Sequence, residues 1–107
     1  MSIVIIKGPN KSGKSIIANA LRNDQINKRK GALLIDEDQK GDLTPQIEKI
    51  LDGAVLMDGQ PADKQKWKSD PMVILVGKQE AMLPKIEKAV PGFKKKMGPV
   101  YVIKTGG

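Results

Sequence analysis

The sequence predicts a three-layer α/β sandwich in which helices flank a five-stranded parallel sheet. Short apolar runs, rich in β-branched residues, alternate along the chain with segments whose apolar residues have helical spacing. This alternation is typical of parallel sheets, whose strands are joined by helical crossovers. The predicted strands occupy residues 2–6, 31–36, 54–58, 72–76 and 100–103. With 107 residues and no long linker, the chain forms a single domain that covers residues 1–107.

The first strand leads into a glycine-rich loop and then into a helix. Residues 8–15 fit the pattern G-x-x-x-x-G-K-[ST] at all four fixed positions. The next residues, 15–22, carry apolar side chains at positions 16, 17, 20 and 21, which predicts one helical face. Strand, loop and helix are the context in which this pattern binds phosphate.

The chemistry of this loop follows from its residue types. Glycine at positions 8 and 13 permits close approaches and backbone angles that a side chain would block. The backbone N–H groups can then surround an anion at the positive end of the helix dipole. Lys14 is expected to reach the β- and γ-phosphates, and the Ser15 hydroxyl to ligate Mg²⁺. The predicted ligand-binding residues are Gly8, Pro9, Asn10, Lys11, Ser12, Gly13, Lys14 and Ser15.

The remaining elements follow in order. The polar residues 23–30 predict a solvated loop, and the second strand then runs into the acidic cluster Asp36-Glu37-Asp38. Thr44 and Pro45 are typical of a helix start. After the third strand come a short helix near Trp67, the fourth strand and a helix over 81–90. A basic connection at 94–96 precedes the last strand.

Composition limits the chemistry. The chain contains neither cysteine nor histidine, so the oxygen donors that remain favour Mg²⁺ as the metal. The net charge of +7 could attract nucleotides or a nucleic-acid backbone, but three aromatic residues offer little base stacking. We find no signal-peptide pattern and no apolar run long enough to span a membrane, which predicts a cytoplasmic protein.

The loop resembles that of the P-loop NTPase superfamily. Its Gly-Pro-Asn and Ser-Gly-Lys-Ser segments are similar to the loops of ABC-type and mismatch-repair ATPases, in which the position of Lys11 often carries Gly or Met. The resemblance implies a nucleoside triphosphate, ATP or GTP, as ligand together with Mg²⁺. No Asn-Lys-x-Asp guanine motif is present, which favours ATP.

The resemblance also implies a carboxylate at the end of a second strand, for which two candidates exist. Asp58 ends the third strand, where the superfamily normally places the metal-site acid, and we expect it to join Ser15 in the Mg²⁺ shell. Asp36 follows an apolar run and precedes Glu37, which also looks like such a motif. If Asp58 holds the metal, Asp36 and Asp38 are free to position an acceptor hydroxyl or water, as similar acids do in shikimate- and gluconate-type kinases.

Three functions remain open from the sequence. The first is a small NTPase or kinase with Lys14, Asp36 and Asp38 as catalytic residues. The second is a switch or motor module completed by a partner protein or a second copy that supplies arginine, since this chain has only Arg22 and Arg29. The third is a nucleic-acid or protein interaction domain with regulatory nucleotide binding. Kinase-like sheets place the third strand beside the first, whereas motor-type sheets insert the fourth between them.

Overall fold

The structure, a computed structural model, describes residues 1–37, 44–51, 56–57, 60–61, 68–78 and 82–106. Its strands and helices alternate along most of the chain. In order, they are β1 Ser2–Lys7, α1 Lys14–Asn27, β2 Lys30–Asp36, α2 Thr44–Leu51, β3 Leu56–Met57, β4 Gln60–Pro61, β5 Lys68–Gly77, α3 Met82–Ala89, α4 Phe93–Met97 and β6 Val100–Lys104.

Four of the strands form one parallel sheet in the spatial order β2-β5-β1-β6. β1 lies in the interior, with Ile3 level with Val73 of β5 on one side and with Val100 of β6 on the other. On the far side of β5, Leu33 of β2 lies level with Val73. All four strands therefore end at the same edge of the sheet, which we call the carboxyl edge; the opposite edge is the amino edge.

The prediction of a five-stranded sheet is wrong, because the third predicted strand does not join it. Leu56 and Met57 of β3 instead pair antiparallel with Pro61 and Gln60 of β4 in a separate two-stranded sheet. Two residues, Asp58-Gly59, connect the paired positions, and Asp-Gly is typical of a two-residue hairpin. The place beside β2 in the parallel sheet is taken by β5.

Helices cover both faces of the sheet, as the alternation of buried side chains on its strands requires. Val4 and Ile6 of β1 pack with Ala18 of α1 on one face. Ile3 and Ile5 point to the other face. The larger core there also includes Ile47 of α2, Ile86 of α3, and Phe93 and Met97 of α4. The sheet is thus the middle layer of three.

Two segments predicted to be irregular are helical instead. α1 continues through Asn27 rather than ending near Arg22 because Gln25 is buried, and its amide nitrogen donates to the carbonyl oxygens of Gly31 and Asp70. The basic connection at 94–96 lies within α4, which is held by the fully buried Phe93 and Met97. The helix predicted near Trp67 lies outside the described residues.

Within the described part of the chain, no helix combines the length and apolar character needed to cross a membrane.

Candidate functional site

A cavity of about 390 Å³ opens at the carboxyl edge of the sheet, beside the loop of residues 8–15. Its volume is within the range of small-ligand sites. Residues 10–16 form one wall, and the ends of β2 and β5 form the other with Asp36, Glu37, Val76 and Gly77. Six of the eight predicted loop residues, 10–15, therefore line one cavity, while Gly8 and Pro9 do not.

The loop enters α1 through a left-handed backbone conformation. Gly13 has φ 87° and ψ 11° and is the N-cap residue, and its carbonyl oxygen accepts a hydrogen bond from Ile17 N at 3.2 Å. A Cβ at Gly13 would contact nothing within 4 Å, so the backbone angle alone favours glycine here. Lys11 also has a positive φ, 59°, which is uncommon for a residue with a side chain.

Gly8 is required for a different reason, which is close approach. A Cβ there would lie 2.2 Å from Thr105 Oγ1 and 2.5 Å from the Thr105 carbonyl oxygen. Gly8 N also donates to Gly77 O of β5 at 3.3 Å. The start of the loop is therefore held between the ends of β5 and β6.

The segment after β6 supports the loop from behind. Thr105 N donates to Lys7 O at 2.8 Å, and the Thr105 hydroxyl lies 2.6 Å from Ser12 Oγ and 3.2 Å from Lys7 O. A Cβ on Gly106 would lie 2.9 Å from Ser12 Cβ and 3.0 Å from Pro9. Sequence reasoning assigned no role to Thr105 or Gly106; the signal was that β6 ends at the same sheet edge as the loop.

The amino group of Lys14 is held over the start of the loop. Nζ donates to Gly8 O at 2.5 Å and to Pro9 O at 3.0 Å. An ammonium group has three N–H donors, so one remains for a further acceptor. Both partners are neutral carbonyls rather than carboxylates, so they orient the positive charge without cancelling it.

The end of α1 beside the cavity adds to this positive character. The helix has 14 residues, no side-chain cap and no acidic residue in its first turn, so its positive dipole end meets no compensating carboxylate within that turn. Ser15 lies in this turn with an exposed side chain and lines the cavity. Its hydroxyl is available on the cavity wall that carries Lys14.

The facing wall carries acidic side chains from the end of β2. Asp36, the last residue of β2, lies level with Val76, and Glu37 N donates to Val76 O at 2.9 Å. The Glu37 carboxylate lies against Gly77, with Oε2 2.8 Å from where a Cβ would be. β5 separates β2 from β1, so these acids start about 10 Å from the loop strand. The cavity thus has a cationic wall and an anionic wall.

The other predicted acids lie elsewhere. Asp38 and Asp58 are outside the described residues. The argument for Asp58 rested on a third strand in the parallel sheet, and β3 is not part of that sheet. The assignment of Asp58 to the metal site stays a prediction, but it has lost the argument from strand position. Asp36 does line the cavity, together with Ser15.

The donors at the cavity are of the kind that Mg²⁺ prefers. Ser15 contributes a hydroxyl, and Asp36 and Glu37 contribute carboxylates. Among the described residues no cluster of three or more acidic side chains forms a complete metal site. Hydroxyl and carboxylate oxygens are the kinds of protein ligand that Mg²⁺ takes in nucleotide sites.

Comparisons of the chain with protein-family models, with curated proteins and with solved structures found no match.

Proposed function

We propose that this protein binds a nucleoside triphosphate with Mg²⁺, ATP in preference to GTP, and transfers the terminal phosphoryl group to an acceptor. The observation that carries the proposal is one cavity that is lined both by residues 10–15 of the glycine-rich loop and by Asp36 and Glu37. A phosphate site and an acid across a small cavity are the two parts that phosphoryl transfer requires. The absence of a guanine motif favours ATP.

The loop and the start of α1 supply the phosphate site. The third N–H of the Lys14 ammonium group donates to a phosphate oxygen. The backbone N–H groups at the start of α1 bind further phosphate oxygens. Mg²⁺, held in part by Ser15, would reduce the charge on the phosphates when it is bound. The contacts of Thr105 with Ser12 and Lys7 keep the loop in place before the ligand arrives.

Asp36 is the acid best placed to receive the acceptor. It lies on the wall opposite the loop, where its carboxylate can accept a hydrogen bond from an acceptor hydroxyl or water and orient it toward the terminal phosphate. Strand order does not separate a kinase-like protein from a motor module. The predicted third strand, 54–58, does not join the parallel sheet, and β5, which contains the predicted fourth strand, lies between β2 and β1.

We expect phosphoryl transfer by the isolated chain to be slow. Arginine over the transferring phosphate supplies much of the rate in related chemistry. Neither arginine of this chain lines the cavity: Arg22 is eight residues into α1, and Arg29 lies before β2 at the amino edge. A partner or a second copy could raise the rate by adding that charge, which keeps the switch-like alternative testable.

Calorimetry with ATP, GTP and their diphosphates, with and without Mg²⁺, tests the binding site. We expect Mg-ATP to bind to the wild-type protein and the Lys14→Ala variant to lose at least about 100-fold in affinity, since a charge-assisted phosphate contact is removed. The melting temperature should be unchanged, because Lys14 bonds only to exposed or half-buried loop carbonyls.

Lys28→Ala is the matched control. Lys28 is an exposed lysine at the other end of α1, paired with Asp24 at 2.9 Å. The Lys28→Ala variant should bind Mg-ATP with the affinity of the wild type. Equal affinity in wild-type and Lys14→Ala proteins, or no binding of any nucleotide by the wild type, would refute the proposal.

Release of inorganic phosphate from Mg-ATP tests the role of Asp36. We expect Asp36→Asn to lower turnover about 100-fold, the usual contribution of a positioned acid or base, and to leave Mg-ATP affinity nearly unchanged. Asp24→Asn, which removes an exposed carboxylate on α1, is the matched control. If Asp36→Asn instead weakens binding only when Mg²⁺ is present, Asp36 belongs to the metal site and not to the acceptor site.

A further inference from the structure

Lys11 combines an unfavourable backbone conformation with a place on the cavity wall. Its φ of 59° lies in the left-handed region, where every residue with a Cβ is disfavoured relative to glycine. Glycine at this position would give the same loop without that cost. A strained residue in a candidate site is therefore a reason to ask what its side chain does.

Lys11 lies at the cavity with an exposed side chain. In the described ranges, no hydrogen bond or ion pair holds its amino group. The backbone strain at Lys11 is not offset by packing of its side chain, because an exposed side chain contributes little to the core.

Other cations in the described part of the chain do not line the cavity. Lys94, Lys95 and Lys96 belong to α4, which precedes β6 and so lies at the amino edge. Neither Arg22 nor Arg29 lines the cavity. Of the cationic side chains that the structure describes, Lys11 and Lys14 line the cavity, and Lys14 is drawn back toward Gly8 and Pro9 by its hydrogen bonds.

We propose that Lys11 is a second phosphate-binding cation that makes the site prefer a nucleoside triphosphate to a diphosphate. This inference rests on the proposed function. Lys14 is held at the start of the loop, whereas the exposed Lys11 at the cavity rim can extend over the outermost phosphate. That phosphate adds negative charge which the diphosphate lacks, so an additional lysine attracts the triphosphate more strongly.

Calorimetry with Mg-ATP and Mg-ADP on Lys11 variants separates charge from backbone strain. Lys11→Gln keeps the strain of the left-handed backbone conformation but removes the positive charge. Lys11→Gly removes both the strain and the charge, and Lys11→Arg keeps both. We expect the Gln and Gly variants to bind Mg-ATP about 10-fold more weakly and Mg-ADP less than about 3-fold more weakly, amounts typical of one partly exposed charge contact. Lys11→Arg should stay close to wild type.

Arg29→Gly is the matched control for strain. Arg29 has φ 60°, nearly the same as Lys11, but lies in the turn before β2 and away from the cavity. Lys11→Gly and Arg29→Gly should each hold the melting temperature or raise it by up to about 4 °C, as relief of a similar strain predicts. Only the Lys11 variant should lose ATP affinity.

The outcomes separate this inference from the function on which it rests. If the wild type binds Mg-ATP and Lys11→Gln has the same ratio of ATP to ADP affinity, the inference is overturned and the function stands. If the Gln variant weakens both nucleotides equally, Lys11 does not select the triphosphate and the inference also fails. If the wild type binds no nucleotide, the proposed function itself is wrong.

Discussion

The two edges of the sheet handle charge in opposite ways. At the amino edge, Asp70 is paired with the amino group of Met1 at 2.7 Å and with Lys30 at 2.9 Å. At the carboxyl edge, Lys14 is held by the carbonyl oxygens of Gly8 and Pro9. Carboxylate partners cancel the charge they bind, whereas carbonyl partners only orient it. The charges around Asp70 are thus paired with each other, whereas the charge of Lys14 stays available for an anion.

The helix ends at the two edges differ in the same way. At the amino edge, both carboxylate oxygens of Glu87 accept hydrogen bonds from the first N–H groups of α4, those of Gly92 at 3.0 Å and Lys94 at 2.8 Å. These contacts lower the pKa of Glu87, with the Lys94 N–H as the largest cause. α1 begins at the carboxyl edge, where Lys14 and Ser15 of its first turn line the cavity. The N–H groups at such a helix start can bind a phosphate.

The carboxyl edge also contains a close backbone contact, which substitution can test. Gly8 is in contact with Thr105, so we expect Gly8→Ala to have the largest effect on stability. A Cβ 2.2 Å from the Thr105 hydroxyl and 2.5 Å from its carbonyl must displace backbone and not only a flexible side chain. We expect a loss of about 3 kcal/mol in the free energy of unfolding, the upper range for overpacking, measured by urea denaturation.

Removal of the hydroxyl offers a control for that variant. Thr105→Ala relieves only one of the two close contacts, so Gly8→Ala should remain destabilising in the Thr105→Ala background. A Gly8→Ala protein with wild-type stability would show that β6 and the loop do not meet as described.

Two glycines with the same φ, one at each edge of the sheet, allow a matched substitution whose expected effect on stability is smaller. Gly13 starts α1 at the carboxyl edge and Gly92 starts α4 at the amino edge; each has φ 87°, and at each a Cβ would touch nothing within 4 Å. We expect alanine at either position to cost about 1 kcal/mol of unfolding free energy, through the backbone angle alone. Only Gly13→Ala should weaken Mg-ATP binding in calorimetry. Equal nucleotide affinity in both variants would contradict a special role for the carboxyl edge.

The smallest expected effect concerns Asp70 at the amino edge. Hydrogen bonds from the Met1 amino group and from Lys30 hold the pKa of Asp70 below its usual value of 3.8. A carboxyl whose folded pKa is depressed stabilises the protein above its unfolded pKa and loses that contribution as the pH falls through the folded value. Because the side chain is 47% exposed, we expect Asp70→Asn to lose only about 0.5 kcal/mol at pH 7.

The pH dependence is the test of that prediction. The stability difference between wild type and Asp70→Asn should be full at pH 5 to 7 and should close as the pH falls below 3.8. High salt should reduce it as well, since half-exposed pairs are screened. Nucleotide binding should not change. A difference that grows toward low pH would reverse the sign of the argument.

The sequence by itself determined the local features of this protein. The apolar runs that became β1, β2, β5 and β6 were recognised from β-branched residues next to turn signals, and the loop 8–15 with the start of α1 from a motif of eight residues. Each depends on neighbours along the chain, because strand periodicity, glycine backbone freedom and helix starts act over only a few residues. The family, the ligand and the reaction inferred from that motif stay predictions.

Tertiary structure decided what the local pattern left undetermined. Leu56 and Met57 looked like a sheet strand but pair within a hairpin, and Gln25 extends α1 because it reaches the carbonyl of Asp70, 45 positions away. The same applies to the acids, since strand order rather than composition places Asp36 on the cavity wall. The contact of Ser12 with Thr105 joins residues 93 positions apart. Local sequence preferences do not predict such contacts, because the contacts stabilise the protein only when the packed sheet brings the strand ends together.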